Sequence, residues 1–172
     1  FGDGSNDSPF SVSAWVFIGN EANQSAGLVT QYENTKSEWN LRLSAGQLEF
    51  FTYDQNNTAY VGRKKTADLA LGEWHHIVGT YNATETNSGF KIYVNGEQAD
   101  DADFTSGSYT AMNGDNDTKV RIGMEKDVSD GRMFNGCITE VSIWGTELSS
   151  AEVNELYNDG KALDATTHSA YY

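Results

Sequence analysis

From Phe10 to Ile18 the chain reads Phe-Ser-Val-Ser-Ala-Trp-Val-Phe-Ile. It alternates apolar and polar at first and then turns wholly apolar, the pattern of a strand covered on both faces. A central strand is predicted. Strand-like runs follow at 26–32, 38–44, 47–53 and 58–64, separated by Asn, Gly and Asp clusters suited to turns. Ala45-Gly46 reads as a hairpin turn, and so does Asp54–Asn57. Further runs at 74–81, 90–94 (ending in the Asn95-Gly96 turn), 119–124 and 136–144 bring the total to about nine short strands, spaced as in a sandwich or jelly roll.

One stretch breaks the period of two. Ser149 and Glu152 have the S-x-x-E spacing of a capping box, Leu148 and Val153 can close as a hydrophobic staple, and Gly160 follows. A short helix is predicted there, with Val153, Leu156 and Tyr157 as its buried stripe, bracing the sandwich edge. The pattern as a whole predicts an all-β, two-sheet antiparallel jelly-roll sandwich with one short C-terminal helix. That unit occupies residues 1–162, and 163–172 reads as an exit linker or the start of a following element. The abrupt opening at Phe1 suggests a segment of a longer polypeptide, and His168 in the tail is expected to play no part.

Composition agrees. The 172 residues include 17 Gly and one Pro, as in a chain of short strands and tight turns, and this length suits a single all-β domain. With 11 basic against 25 acidic residues the net charge is −14, which makes nucleic acid and anionic membranes poor partners. No apolar run reaches the length of a membrane span. Cys137 stands alone, so no intrachain disulfide is possible, and its place in an apolar strand pattern predicts a packed thiol.

Four segments resemble a known family, the laminin-G-like jelly rolls of the concanavalin A-like superfamily. They are Phe10–Val16, the run from Leu71-Gly72-Glu73-Trp74-His75-His76-Ile77-Val78 to Tyr81, the hairpin Ile92-Tyr93-Val94-Asn95-Gly96, and Phe134–Trp144 followed by Leu148–Val153. Their order and spacing span residues 10 to 160. The opening F-G-D-G-S-N-D-S-P-F-S-V-S-A-W also resembles modules of bacterial and phage surface proteins. The resemblance implies a Ca²⁺ near the first loop, completed by an acid on the strand containing Glu140, where Thr139 stands in place of a frequent second acid. It also implies a first strand upstream of Phe10, for which only eight or so residues remain.

The residues themselves supply candidates. Asp3, Ser5 and Asp7 offer oxygens at alternate positions around Gly4, which suits a cation needing six to eight oxygen ligands, and Glu140 is the partner the resemblance implies. A second oxygen-rich loop, 113–117, offers the same chemistry. His75 and His76 are neighbours on one strand and so point to opposite faces, a structural arrangement that does not converge on a metal.

Saccharide recognition needs flat aromatic faces and planar polar groups on one exposed sheet face. Trp39 shares a face with Leu41 and Leu43 and belongs to the core, which puts Arg42 on the opposite face with Asn40. Tyr53 goes with Glu49 and Phe51, and Tyr60 with Gly62 and Lys64. The candidate ligand-binding residues are therefore Arg42, Tyr53, Tyr60 and Arg63. The E-x-D-x-x-E pattern of related glucanases is absent, as are G-x-S-x-G, P-loop and zinc spacings. The expected function is a non-catalytic, extracellular or virion-borne binding module, adhering to a glycan or surface polysaccharide with Ca²⁺ stiffening the rim, in contact with protein neighbours of a larger assembly. The alternative is a structural or protein-interaction sandwich domain of a phage or cell-surface protein without a saccharide ligand.

Overall fold

The structure is a computed structural model and describes all residues except 20–23, 34, 115–116, 126–131, 164 and 171–172, and the side chain of residue 165. Eleven strands are assigned among the described residues: β1 Phe10–Ile18, β2 Ala26–Gln31, β3 Trp39–Ser44, β4 Gln47–Asp54, β5 Ala59–Lys65, β6 Trp74–Tyr81, β7 Phe90–Val94, β8 Glu97–Gln98, β9 Ala102–Ser106, β10 Arg121–Ile122 and β11 Gly136–Trp144. They form two antiparallel sheets, in the order β11-β1-β6-β7-β8 and β10-β2-β3-β4-β5-β9. The expected sandwich is present, with two differences in detail. The run 119–124 contributes only two strand residues, and β8 and β9 were not predicted. β9 is an edge strand whose Asp, Thr and Ser positions hide its alternation.

Alternation sorts each strand onto the two faces as the sequence requires. Phe10, Val12, Ala14 and Val16 of β1, Trp39, Leu41 and Leu43 of β3, and Leu48 and Phe50 of β4 point inward and form one contiguous core between the sheets. Burying such side chains contributes roughly 1.5–3 kcal/mol each. Gly79 of β6 lets the sheets close: a Cβ there would meet the Phe50 ring of the opposite sheet at 2.6 Å.

The helix α1, Ser150–Tyr157, forms with the predicted capping box: Ser149 Oγ accepts from the Glu152 amide while the Glu152 carboxylate accepts from the Ser149 amide. It lies on the outer face of the first sheet, where Val153 and Leu156 pack with Val78, Tyr93, Trp144 and Leu148. It covers a sheet face and not the sandwich edge. His168 and Ala170 complete this second cluster. His168 is buried, contacts the Glu152 carbonyl through Nε2 at 2.9 Å and packs edge-on against Trp144. The tail therefore contributes packing, contrary to expectation, although residues 164, 171 and 172 lie outside the described set. Cys137 is also corrected: it is exposed, because its position on β11 points away from the core.

The two histidines do face opposite ways. His76 sits under α1, with its ring 5.2 Å from that of Trp15 and 6.1 Å from that of Tyr157 and its Nε2 3.0 Å from Ser13 Oγ. Burial lowers its pKa from 6.5 to about 4. The unfolded chain then takes up this proton before the folded one does. The stability that neutral His76 provides is complete above the unfolded value and is lost as the pH falls from 6.5 towards 4. The loss is on the order of 3 kcal/mol. Denaturant titrations across that window should show a shallower acid slope for His76→Gln than for the parent chain, and equal slopes would contradict this assignment.

Candidate functional site

The outer face of the second sheet bears three of the four groups expected to contact sugar, laid out as a grid by strand register. In one row Gly27, Arg42, Glu49, Lys64 and Ala102 lie side by side, in the next Thr30, Asn40, Phe51, Gly62 and Phe104, and beyond them Tyr53, Tyr60 and Ser106. The aromatic rings form one cluster. Tyr60 stacks on Phe104 at 4.6 Å, Phe51 lies 5.2 Å from Phe104 and 5.7 Å from Tyr60, and Tyr32 meets Tyr53 edge-on at 5.7 Å. Phe51 is the buried floor, while Tyr32, Tyr53, Tyr60 and Phe104 are half-buried and reach solvent. Gly62 supplies the room for these rings, since a Cβ there would come within 2.5 Å of Phe51 Cβ.

Arg42 joins this apolar floor to a charged network. Its Nε donates to Glu49 Oε2 at 2.7 Å and its Nη1 to Glu125 Oε1 at 2.6 Å, while Cζ lies 4.9 Å from the Phe51 centroid and 5.9 Å from that of Phe104. Glu125 accepts two further bonds, from Asn40 Nδ2 at 2.9 Å and Arg132 Nη1 at 2.9 Å. Burial opposes the Arg42 charge, but Glu125 and Glu49 outweigh it and raise its pKa above the usual guanidinium value. Burial likewise pulls the Glu125 carboxyl upward, and Arg42 and Arg132 outweigh it and hold the group below the ordinary carboxylate value. Both groups stay charged, which makes the network a fixed array of donors and acceptors.

Glu125 reaches the face because the backbone of 124–125 crosses directly over Gly27, where a Cβ would lie 2.4 Å from the Met124 carbonyl oxygen. Thr30 Oγ1 donates to that carbonyl at 3.1 Å, and a bridge between Met124 and Met133 returns the chain beside it. Any side chain at position 27 displaces this segment, and Glu125 with it.

Of the four expected ligand-binding residues, Arg42, Tyr53 and Tyr60 are brought together and Arg63 is not. Arg63 lies opposite Phe50 in the β4–β5 register, on the inward side of its strand. There it bonds Asp100 Oδ2 through Nε at 2.9 Å and also pairs with Asp103. Phe104, Glu125 and Arg132 escaped sequence reasoning. Phe104 carried a faint signal, the alternation of Ala102, Phe104 and Ser106, whereas the Glu125 and Arg132 contacts bridge distant parts of the chain and leave no local pattern.

The expected metal set does not converge. The Asp3–Asp7 turn closes through a bridge between Gly2 and Asp7, and Asp3 Oδ1 accepts the Ser5 and Asn6 amides at 2.8 and 2.7 Å, which hold its carboxyl below the ordinary value. Asp7 accepts Tyr81 Oη and Tyr109 Oη on Oδ2, both at 2.6 Å, and the Met112 amide on Oδ1 at 2.8 Å. Three donors thus occupy the oxygens a cation needs. Glu140 sits exposed with φ of 49° in a bulge of β11 beside the middle of β1. That is four residues, about 13 Å, along the strand from Phe10. Asp3, Ser5, Asp7 and Glu140 do not fit one Ca²⁺. In the second acidic loop Asp115 and Asn116 lie outside the described residues. No cluster of three metal-ligating side chains occurs among the described residues.

The family model for the concanavalin A-like lectin/glucanases superfamily, of laminin-G type, matches residues 2–154. The chain belongs to this superfamily. As a concanavalin A-like module it shares its fold with the receptor-binding domain of botulinum neurotoxin D, at TM-score 0.62 and 19% identity over 91% of this chain and 38% of that one. The botulinum neurotoxin serotype D ligand-binding domain in complex with N-acetylneuraminic acid gives 0.59 and 18%, over 90% and 37% of the two chains. A Bacteroides ovatus protein provisionally classed as carbohydrate-binding gives 0.59 and 21%, over 98% and 46%. At these identities the likeness is one of fold, and the chain spans less than half the length of each. No curated protein matches the sequence.

Proposed function

We propose that this chain is a non-catalytic glycan-binding module that presents the outer face of its six-stranded sheet to saccharide. The observation that carries the reading is the conjunction on one face of half-buried rings (Tyr53, Tyr60, Phe104) with a charge-fixed hydrogen-bonding array centred on Arg42. The rings offer faces to the C–H surface of a sugar, and the array offers directed groups to its hydroxyls. The opposite sheet carries α1 on its outer face. A fold neighbour in complex with N-acetylneuraminic acid and another provisionally classed as carbohydrate-binding support the reading. A glycan partner places the module at a cell surface, in the extracellular space or on a virion.

Binding is favoured over hydrolysis by how the Glu125 carboxylate on this face is held. A glycosidase needs an acid whose pKa is raised so that it can protonate the leaving oxygen. Glu49 and Glu125 instead share one guanidinium, and Glu125 is held below its ordinary value.

Tyr60→Ala and Phe104→Ala should each weaken saccharide binding roughly tenfold, the equivalent of one lost stacking contact. Both should keep the parent circular dichroism spectrum, and a glycan array followed by titration calorimetry provides the measurement. Full affinity in both variants would place the contact elsewhere. Self-association without affinity for any saccharide would favour the structural alternative.

A further inference from the structure

The charges on this face are arranged in a line. Arg132 bonds Glu125 at 2.9 Å, Glu125 bonds Arg42 at 2.6 Å, Arg42 bonds Glu49 at 2.7 Å, and Lys64 lies directly opposite Glu49 in the β4–β5 register. The sequence along the line is plus, minus, plus, minus, plus. Each carboxylate has a cation on either side, and a cation stands at both ends.

Exposure sharpens the asymmetry. The Glu125 and Glu49 side chains are 1% and 6% exposed, whereas that of Arg132 is 44% exposed and Lys64 is half-buried. Lys64 enters no ion pair among the described residues, and Arg132 spends one guanidinium nitrogen on Glu125. An incoming ligand therefore meets the cations before the acids. Among the described residues around the line free carboxylates are few: Glu33 at its margin is paired with Arg121 at 2.5 Å, and Ala102, Phe104 and Ser106 of β9 carry none. This local surplus of accessible positive charge belongs to a chain of net charge −14, on which anions are repelled elsewhere.

We propose that the saccharide taken by this face is acidic, its carboxylates or sulfates held at the ends of the line, by Lys64 at one and Arg132 at the other, while a ring lies on Tyr60 and Phe104. The inference rests on the glycan-binding reading and adds the ligand class. A planar guanidinium with nitrogens to spare suits bidentate contact to an oxyanion, and the lysine adds a mobile point charge. The buried acids keep Arg42 in place beneath, and Glu125 in turn holds Arg132 at its end of the line.

The test is titration calorimetry at low ionic strength with two matched pairs: an oligogalacturonate and its methyl ester, and a sulfated galactan oligosaccharide and its desulfated form. The acidic member of at least one pair should bind tighter than its neutral counterpart by roughly tenfold, the equivalent of one charge-assisted contact. Added salt should shrink the gap, and the Lys64→Gln/Arg132→Gln double variant should abolish it. The pair with the larger gap identifies the anion. Equal affinity within both pairs, with Phe104→Ala weakening binding of both members alike, overturns the acid preference and leaves the glycan-binding reading intact. Absence of binding by all four probes removes both.

Discussion

Replacing Arg42 by alanine should cost about 3–5 kcal/mol of folding stability, because it strands a buried carboxylate. Glu125 keeps Arg132 and Asn40, but Glu49, 5% exposed, loses the guanidinium that neutralises it. Equilibrium urea unfolding measures the deficit. Pairing Arg42→Leu with Glu49→Leu should recover most of the loss, since an apolar pair of similar volume removes the uncompensated charge. Arg42→Lys should behave more like alanine than like arginine, because one ammonium cannot fork to Glu49 and Glu125 while lying over Phe51. A deficit below about 1 kcal/mol would place Arg42 among ordinary surface ion pairs.

The second large effect is expected at Asp7. Its carboxylate ties three segments together: Tyr81 at the end of β6, Tyr109 in the loop after β9, and the Met112 backbone. Asp7→Ala leaves two tyrosine hydroxyls and one amide without their acceptor, at about 1–3 kcal/mol for each group that stays dry. A total of about 3–5 kcal/mol follows if one donor finds water. Tyr109→Phe should cost nearer 1 kcal/mol, because it removes a donor without stranding one, whereas Tyr81→Phe should cost more, since the Glu85 amide loses its acceptor. Burial, with Asp7 beside them, pushes both phenols above their ordinary pKa, so neither hydroxyl ionises in the neutral range. The Asp7→Ala deficit should be the same in excess calcium and in excess chelator. A deficit seen only with calcium would mean that the carboxylate serves a cation after all.

These two residues show how far the sequence reached. Alternation in 39–44, 47–53 and 59–65 determined which side chains share a face, because successive residues of an extended chain point to opposite sides whatever lies around them. Trp39 could thus be assigned to the core and Arg42, Tyr53 and Tyr60 to the other side from the chain alone. Arg63 was misplaced for want of applying the same rule: it is one residue out of step with Lys64. The helix was legible because a capping box is a contact over three residues, written contiguously. Asp7 was singled out for the right atoms and the wrong partner, since nothing near it in the chain reveals that two tyrosines over 70 residues away supply the donors.

By itself, then, the sequence determined most of the strands, the turns between them, the two faces of the central strands and the capped helix, all of which follow from interactions among near neighbours. Only the tertiary structure decided that Glu125 crosses Gly27 to meet Arg42, 83 positions earlier, that Arg132 folds back beside it, and that Phe104 arrives on an edge strand next to Tyr60. Those contacts depend on how the sheets are ordered and on which backbone passes over which. That order is set by the packing of the whole core and leaves no period in the chain to read.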